Sequence, residues 1–426
     1  MFEMTTLGNA LFCGWAVGGR LLAVGLLASL GMLLAGYVGG RLSKSSRSAL
    51  VKQYCDDFDA DSRKKSNKKL KKVVAVVNPV GGRARAGPVF NSVLPLLHDV
   101  CFEDVETIVT KAAGDARNIA DRLAQSGDSD TILVCVGGDG LLHEIVNGIA
   151  YGPYGSPKSK AAPRFEAFSR IPISMIAEGT GNGVSTSLNV RTTKDACNAI
   201  LKQCIKATDI ICVEQFEGAG NCVNACAATL SVGWGLVADH DFLAEVELRK
   251  FGWIRKTIAP LKVIMDKKQY TGRLSWIIED GKESSANNEP RRGRKDIKEA
   301  LNLHGSGGKW RYVDDTFVCV HICNMHWTAN DAHMAPCATP NDGLLTAVVV
   351  RGQCPSRWEL IKMFMQAETG NHYTKDHSGP CEFIQSKEFR IEPSGGGHIA
   401  VDGEITPPLS TRAYVAPSVS RFLFNE

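Results

Sequence analysis

No Gly-x-x-x-x-Gly-Lys-Ser/Thr segment occurs anywhere in the chain, so any phosphate chemistry it carries is not built on a P-loop. It also lacks an internal repeat, a dense cysteine framework and a strong charge of either sign. Net charge is +4 from 49 basic and 45 acidic residues, and seven of the basic ones cluster between Arg63 and Lys72. A basic run that local does not mark the whole chain as a nucleic-acid binder. Fourteen cysteines scattered over 426 residues exclude a small disulfide-stapled secreted domain and fit a reducing, cytosolic setting. With 44% apolar residues there is material for two compact domains with extensions, which excludes disorder throughout.

One long apolar run is present. Twenty uncharged residues, 21–40, lie between Arg20 and Arg41, about the length that crosses a hydrocarbon core as a helix. The run is long and late for a cleaved signal peptide and too hydrophobic for a mitochondrial presequence. Arg41, Lys44, Arg47 and Lys52 follow it, so the positive-inside rule places the remainder in the cytosol, on an endoplasmic-reticulum or other endomembrane surface. The segment 41–72 is a basic linker whose run Arg63 to Lys72 suits either anionic headgroups or solvent. Cys319, His321, Cys323 and His326 have a zinc-like look, but the alternation of the first three puts them on one strand face, as buried thiols. No metal-ligand set is read from the chain.

From residue 73 the pattern changes. Short strand-like runs at 73–77, 107–110, 131–136 and 173–177 alternate with helical stretches, among them 141–150 with Leu141, Leu142, Ile145, Val146 and Ile149 on one side. This predicts a three-layer α/β nucleotide-binding domain over 73–212. Beyond it, runs at 222–232, 273–278, 317–323, 344–350, 388–391 and 398–401 predict a mainly β domain over 213–426. The polar, Gly-rich stretch 281–309 reads as an insertion.

Three glycine-rich turns follow successive strands. The first is Asn78-Pro79-Val80-Gly81-Gly82-Arg83-Ala84-Arg85, where paired glycines let amides approach phosphate oxygens that Arg83 and Arg85 would clamp. The second is Gly137-Gly138-Asp139-Gly140, opening the helix 141–150. The third is Glu178-Gly179-Thr180-Gly181-Asn182-Gly183. Each alone is a structural turn, and Asp139 alone is a helix cap. Three at the carboxyl ends of successive strands predict one nucleotide cleft.

These motifs resemble the diacylglycerol kinase catalytic domain superfamily, whose Asn-Pro-x-x-Gly-Gly, Gly-Gly-Asp-Gly and Gly-Thr-Gly-Asn signatures occur in this order. The resemblance runs from about residue 73 to the C-terminus. It implies a two-domain fold with ATP and Mg2+ in the cleft and a lipid hydroxyl as acceptor, with Asp139 taking the hydroxyl proton. It also implies nucleotide contacts from Asn78, Gly81, Gly82, Arg83, Arg85, Thr110, Gly137, Gly138, Gly140, Glu144, Gly179, Thr180, Gly181 and Asn182.

Two further segments resemble the sphingosine kinase branch. In Ser231-Val232-Gly233-Trp234-Gly235-Leu236-Val237-Ala238-Asp239-His240-Asp241, the resemblance gives Ser231, Asp239 and Asp241 the sphingoid head group, and the downstream Arg249 and Arg255 the ATP phosphates. A carboxylate suits the 2-ammonium of a sphingoid base, which diacylglycerol and ceramide lack. Asp239 and Asp241 face one side if the segment is extended. In Val401-Asp402-Gly403-Glu404, the resemblance returns Asp402, Gly403 and Glu404 to the nucleotide site. Gly183 after Asn182, where diacylglycerol kinases have Asp, favours the same branch.

Two departures stand out: Ala177 replaces a frequent proline, and Glu178 puts an acid beside the phosphate turn. The expected activity is ATP-dependent phosphorylation of the primary hydroxyl of a sphingoid base. The alternatives are a diacylglycerol, monoacylglycerol or ceramide kinase and a membrane-tethered pseudokinase. A soluble NAD kinase shares the second turn but accounts for neither the apolar run nor Ala238-Asp239-His240-Asp241.

Overall fold

Lys72–Val77 (β1) is apolar after its first residue, and all five of those side chains are buried. A strand buried on both faces belongs inside a parallel sheet covered by helices. The structure, a computed structural model, describes residues 72–100, 104–153, 163–218, 220–248, 255–278, 309–352, 355–373 and 381–425, all within the compact unit Asp61–Glu426. In it β1 pairs parallel with Asp104–Val109 (β2) and with Thr131–Gly137 (β3), and β3 pairs parallel with Ile173–Ala177 (β4). The helices of this region are Ala86–Val100 (α1), Asp115–Ser126 (α2), Asp139–Tyr151 (α3), Phe165–Arg170 (α4), Gly183–Ser187 (α5) and Thr193–Lys202 (α6). α1 packs with α6, whereas α2, α3 and α4 pack with one another. These two helical groups and the sheet are the expected three layers. β2 starts three residues before the expected 107 because its half-exposed pattern hides an edge strand.

α6 begins at a capping box: the Thr192 hydroxyl accepts from the Asp195 amide at 3.2 Å, and the Asp195 carboxylate accepts from the Thr192 amide at 2.9 Å.

The chain then becomes mainly β. Its strands are Ile205–Glu217 (β5), Asn221–Ala228 (β6), Ser231–Gly235 (β7), Tyr270–Ile278 (β8), Lys309–Cys323 (β9), Leu345–Arg351 (β10), Glu382–Ser386 (β11), Glu388–Pro393 (β12), Ile399–Val401 (β13), Glu404–Thr406 (β14) and Ser410–Leu423 (β15). Between them lie Leu236–Phe242 (α7), a π-helical turn Leu243–Glu247, Arg255–Asp266 (α8) and Arg357–Ala367 (α9). Pairing among β5–β15 is antiparallel, and the described strands form one continuous sheet with a central order β14-β13-β7-β9-β8-β12-β15-β4-β3-β1-β2.

The strands cut across some of the expected bounds. The boundary at residue 212 falls inside β5, which pairs with β15 from Phe216↔Ser410 to Ile205↔Leu423. β15 also meets β4 in parallel at Phe422↔Ile173, and Phe422 and Leu423 are buried in the core of the α/β region. The end of the chain thus completes the first domain. The run 222–232 is two strands, interrupted at Thr229 and Leu230. Of the insertion 281–309, only Lys309 is described, and it already belongs to β9. The remainder, the apolar run 21–40 and the basic linker lie outside the described residues. Among the described residues no helix is long and apolar enough to cross a membrane.

Candidate functional site

The three glycine turns meet. Gly82 has φ +58°, and a Cβ there would lie 2.0 Å from the Glu178 carbonyl oxygen, so the first turn rests directly on the third. A Cβ on Gly179 would lie 2.2 Å from the Gly138 Cα, so the third rests on the second. Backbone bonds fix the arrangement: the Asn78 amide donates to the Val136 carbonyl at 3.1 Å, and the Glu178 amide to the Gly137 carbonyl at 2.9 Å. Asn78 shapes the first turn by accepting from the Val80 and Gly81 amides, each at 3.1 Å. Thr110 borders it, its amide donating to the Val77 carbonyl at 2.9 Å. Asn182, at φ +58°, closes the third by accepting from the Gly179 amide and donating to the Gly179 carbonyl, both at 3.0 Å. Thr180 and Gly181 lie between them.

Asp139 sits under this third turn. Its Oδ2 accepts from the Gly183 amide at 2.9 Å and its Oδ1 from the Val184 amide at 3.2 Å. Burial outweighs these bonds and, helped by the Asp402 charge, pushes its pKa up to about 6. A Cβ on Gly140 would lie 3.3 Å from the exposed Glu404 carboxylate, so the Val-Asp-Gly-Glu segment does return to the Asp139 turn. Glu144, one turn along α3, is half-buried.

Asp402 is placed differently from Glu404. Its buried carboxylate accepts from the amides of Thr229, Leu230 and Ser231 at 2.8–3.0 Å and lies 3.2 Å from His143 Nδ1. Those donors fill it, so it holds the β6–β7 turn against α3. Gly403 follows at φ +85°.

Arg83 is exposed at the first turn. Arg85 is turned toward Glu178, its Nε 3.2 Å from Oε2, and Glu178 is 6% exposed at the side chain. The acid noted in the sequence thus claims one of the two expected phosphate clamps. Arg249 lies outside the described residues, and Arg255 is described only as the first position of α8.

The residues expected at the head group separate. The Ala238-Asp239-His240-Asp241 segment is helical, in α7, so Asp239 and Asp241 diverge by about 200° instead of sharing a side as they would if extended. Gly235 turns the chain into α7 at φ +82°, where a Cβ would strike the Val318 carbonyl at 2.6 Å. Asp239 is buried and, with Leu236, Phe242, Lys262 and His398, lines a pocket beside α8. Asp241 instead pairs with its neighbour His240 at 3.1 Å. Ser231 is buried at the start of β7. In α8, Val263 and Ile264 are buried while Leu261 and Met265 are exposed. Cys319 and Cys323 are buried thiols; burial pushes the Cys319 pKa up to about 12 and lowers that of His321 to about 4.

Several participants were not anticipated. The loop after β9 docks on the third turn: Asn330 donates to the Gly181 carbonyl at 2.7 Å, and the Thr328 carbonyl leaves no room for a Cβ on Gly183. Asn147, on the apolar face of α3, exchanges hydrogen bonds with Ala227 of β6 at 2.8 and 2.9 Å. A lone amide in that apolar stripe was the available signal. Tyr270 and His398, which bracket Asp239, gave none.

Comparison with known proteins agrees with this geometry. Residues 72–213 match the family model of the diacylglycerol kinase catalytic domain, and residues 300–424 match that of the YegS C-terminal NAD kinase beta sandwich-like domain. The chain is 29% identical over 364 residues to Sphingosine kinase 1 of Arabidopsis thaliana, covering 79% of this chain and 68% of that one. It is 26% identical to Sphingoid long chain base kinase 4 of Schizosaccharomyces pombe, covering 87% and 78%. It is 26% identical to Sphingosine kinase 1 of Homo sapiens, covering 82% and 89%. The fold is that of a diacylglycerol kinase from Bacillus anthracis, with a TM-score of 0.53 at 16% identity over 84% of this chain and 98% of that one. The chain thus carries a diacylglycerol kinase catalytic domain over residues 72–213 and is similar over most of its length to sphingosine kinases and sphingoid long-chain base kinases of plants, yeast and human.

Proposed function

We propose that the protein transfers the γ-phosphoryl of ATP to the primary hydroxyl of a sphingoid long-chain base, with Asp139 as the base that takes the hydroxyl proton. The observation that carries this is the contact of the three glycine turns directly above the Asp139 carboxylate. Turns without Cβ atoms leave backbone amides open to phosphate oxygens. The Arg83 charge stands at their rim. Phosphoryl transfer depends on positioning and charge neutralisation more than on covalent chemistry, and the stacked turns supply the positioning.

Mg2+ neutralises phosphate charge in such transfers and binds through one or two carboxylates plus the phosphates. Glu404, brought to the Gly140 turn, is the side chain that would hold it. Ser231 and Asp239 would orient the head group. The run 21–40 would anchor the chain in an endomembrane with its catalytic region in the cytosol, a reading supported by its length and by the basic residues after it. An assay of the full chain with labelled ATP across sphingosine, diacylglycerol, monoacylglycerol and ceramide tests the function. Transfer confined to a neutral lipid would overturn the sphingoid reading.

A base must be ionised to act, so the raised pKa of Asp139 sets a lower pH limit. Above about pH 6, kcat/KM for ATP is expected to be flat. Below it, kcat/KM falls toward tenfold per unit. A profile flat to pH 5 would show that Asp139 is not the base.

The Arg85–Glu178 pair sets ATP affinity. Glu178→Gln removes the charge that holds Arg85 away from the phosphates, and the KM for ATP is expected to fall about threefold or more. A raised KM would instead mean that Glu178 orients Arg85 productively.

A further inference from the structure

The pocket beside α8 contains an imidazole that no motif announces. His398 immediately precedes β13, and its Nδ1 lies 2.8 Å from Asp239 Oδ1. Its ring stacks on Phe242 with centroids 4.1 Å apart and planes 13° from parallel. The turn before it is fixed too, because the Trp234 indole donates to the Gly396 carbonyl at 3.1 Å. On the other side of the carboxylate, the Tyr270 hydroxyl donates to Asp239 Oδ2. Burial and the Asp239 charge push the Tyr270 phenol upward, so it stays a donor.

This geometry assigns the tautomer. In the neutral ring the nitrogen facing a carboxylate carries the proton, so Nδ1 donates to Asp239 and Nε2 is an acceptor. The side chain of His398 is 37% exposed, and it lines the same pocket as Asp239. Carboxylate and imidazole therefore present two adjoining acceptors, one charged and one neutral. A 2-amino-1,3-diol offers two donors on adjacent carbons, an ammonium and a hydroxyl.

We propose that Asp239 and His398 read the head group as one unit, with Asp239 taking the ammonium and His398 Nε2 accepting from the 3-hydroxyl. The inference rests on the sphingoid reading of the site and adds a specificity residue to it. Tyr270 and the Phe242 stack are the positioning elements. The dyad disfavours an N-acylated head group, whose nitrogen carries no charge and a single N–H.

The test uses the full chain with His398→Ala and His398→Asn, and two acceptors, sphinganine and its 3-deoxy analogue. Asn reproduces the Nδ1 donation to Asp239 but has nothing at the Nε2 position. With sphinganine, both variants are expected to raise the acceptor KM about tenfold or more while the KM for ATP holds. With the 3-deoxy base, the parent already shows the higher KM, and His398→Asn raises it no further. An equal loss on both acceptors for His398→Asn would overturn the proposal and leave His398 as a support for Asp239. Loss of ATP affinity or of melting temperature in both variants would overturn it in favour of a structural role. If the parent phosphorylates neither base, the sphingoid reading itself fails.

Discussion

Asp139→Asn is expected to lower turnover by a factor of about 100 to 10,000 while the chain still folds. The substitution keeps the size and one acceptor oxygen but removes the carboxylate proposed to take the proton. Folding should survive because the carboxylate contributes two backbone bonds to the short helix α5, at 2.9 and 3.2 Å, and Asn retains one of them. The pH dependence of stability distinguishes this account from simple damage. Burial raises the Asp139 pKa to about 6, so its contribution to stability is fully present below the ordinary carboxylate pKa and is lost as pH rises through 6. Asn has no such loss. The melting temperature of Asp139→Asn relative to the parent is therefore expected to be more favourable at pH 8 than at pH 4. Near-normal turnover in the variant would remove Asp139 as the base, and a relative melting temperature that falls with pH would contradict its burial.

The three glycine turns were legible in the sequence because their geometry is local. A positive φ at Gly82 and the near-contact of Gly138 and Gly179 demand glycine, and glycine at those spacings is visible in the letters. What was not legible depends on partners far away in the chain. Nothing within 222–232 announces the break at Thr229 and Leu230, because the group that captures those amides is Asp402. That β5 runs across the expected boundary at 212 was hidden for the same reason: it is held by β15, about two hundred residues later, and the pairing shifts register between Ala416 and Ser420. Asp239 and Asp241 appeared as a pair only on the assumption of an extended segment, and Gly235 turns it into a helix. Period-2 and period-3.6 patterns cannot be told apart over seven residues, and the environment of Asp239 came from Tyr270 on β8 and from His398 just before β13.

The resemblance gave Asp402 to the nucleotide, and the structure supplies a sharper expectation. Its side chain is fully buried, and it gathers three successive amides together with the His143 ring. Asp402→Ala leaves all of those donors in the interior without an acceptor, at a cost of roughly 3–5 kcal/mol. In a protein of this size that corresponds to a fall in melting temperature on the order of 10 °C. Asp402 also has φ +52°, which Ala adopts poorly and Asn tolerates. Asp402→Asn should therefore lose less, because it keeps one acceptor oxygen and the backbone conformation while turning an NH2 group toward amides. The predicted order is parent, Asn, Ala in melting temperature, with turnover at a temperature where each variant is folded falling only modestly. That fall would come from the Ser231 end of β7, released when its amide loses its acceptor. A carboxylate that served the nucleotide would give the opposite pattern: both variants would melt like the parent and both would lose ATP affinity by about the same factor. Melting curves and ATP titrations on the two variants thus decide whether this acid touches the reaction or holds helix α3 to the β6–β7 turn.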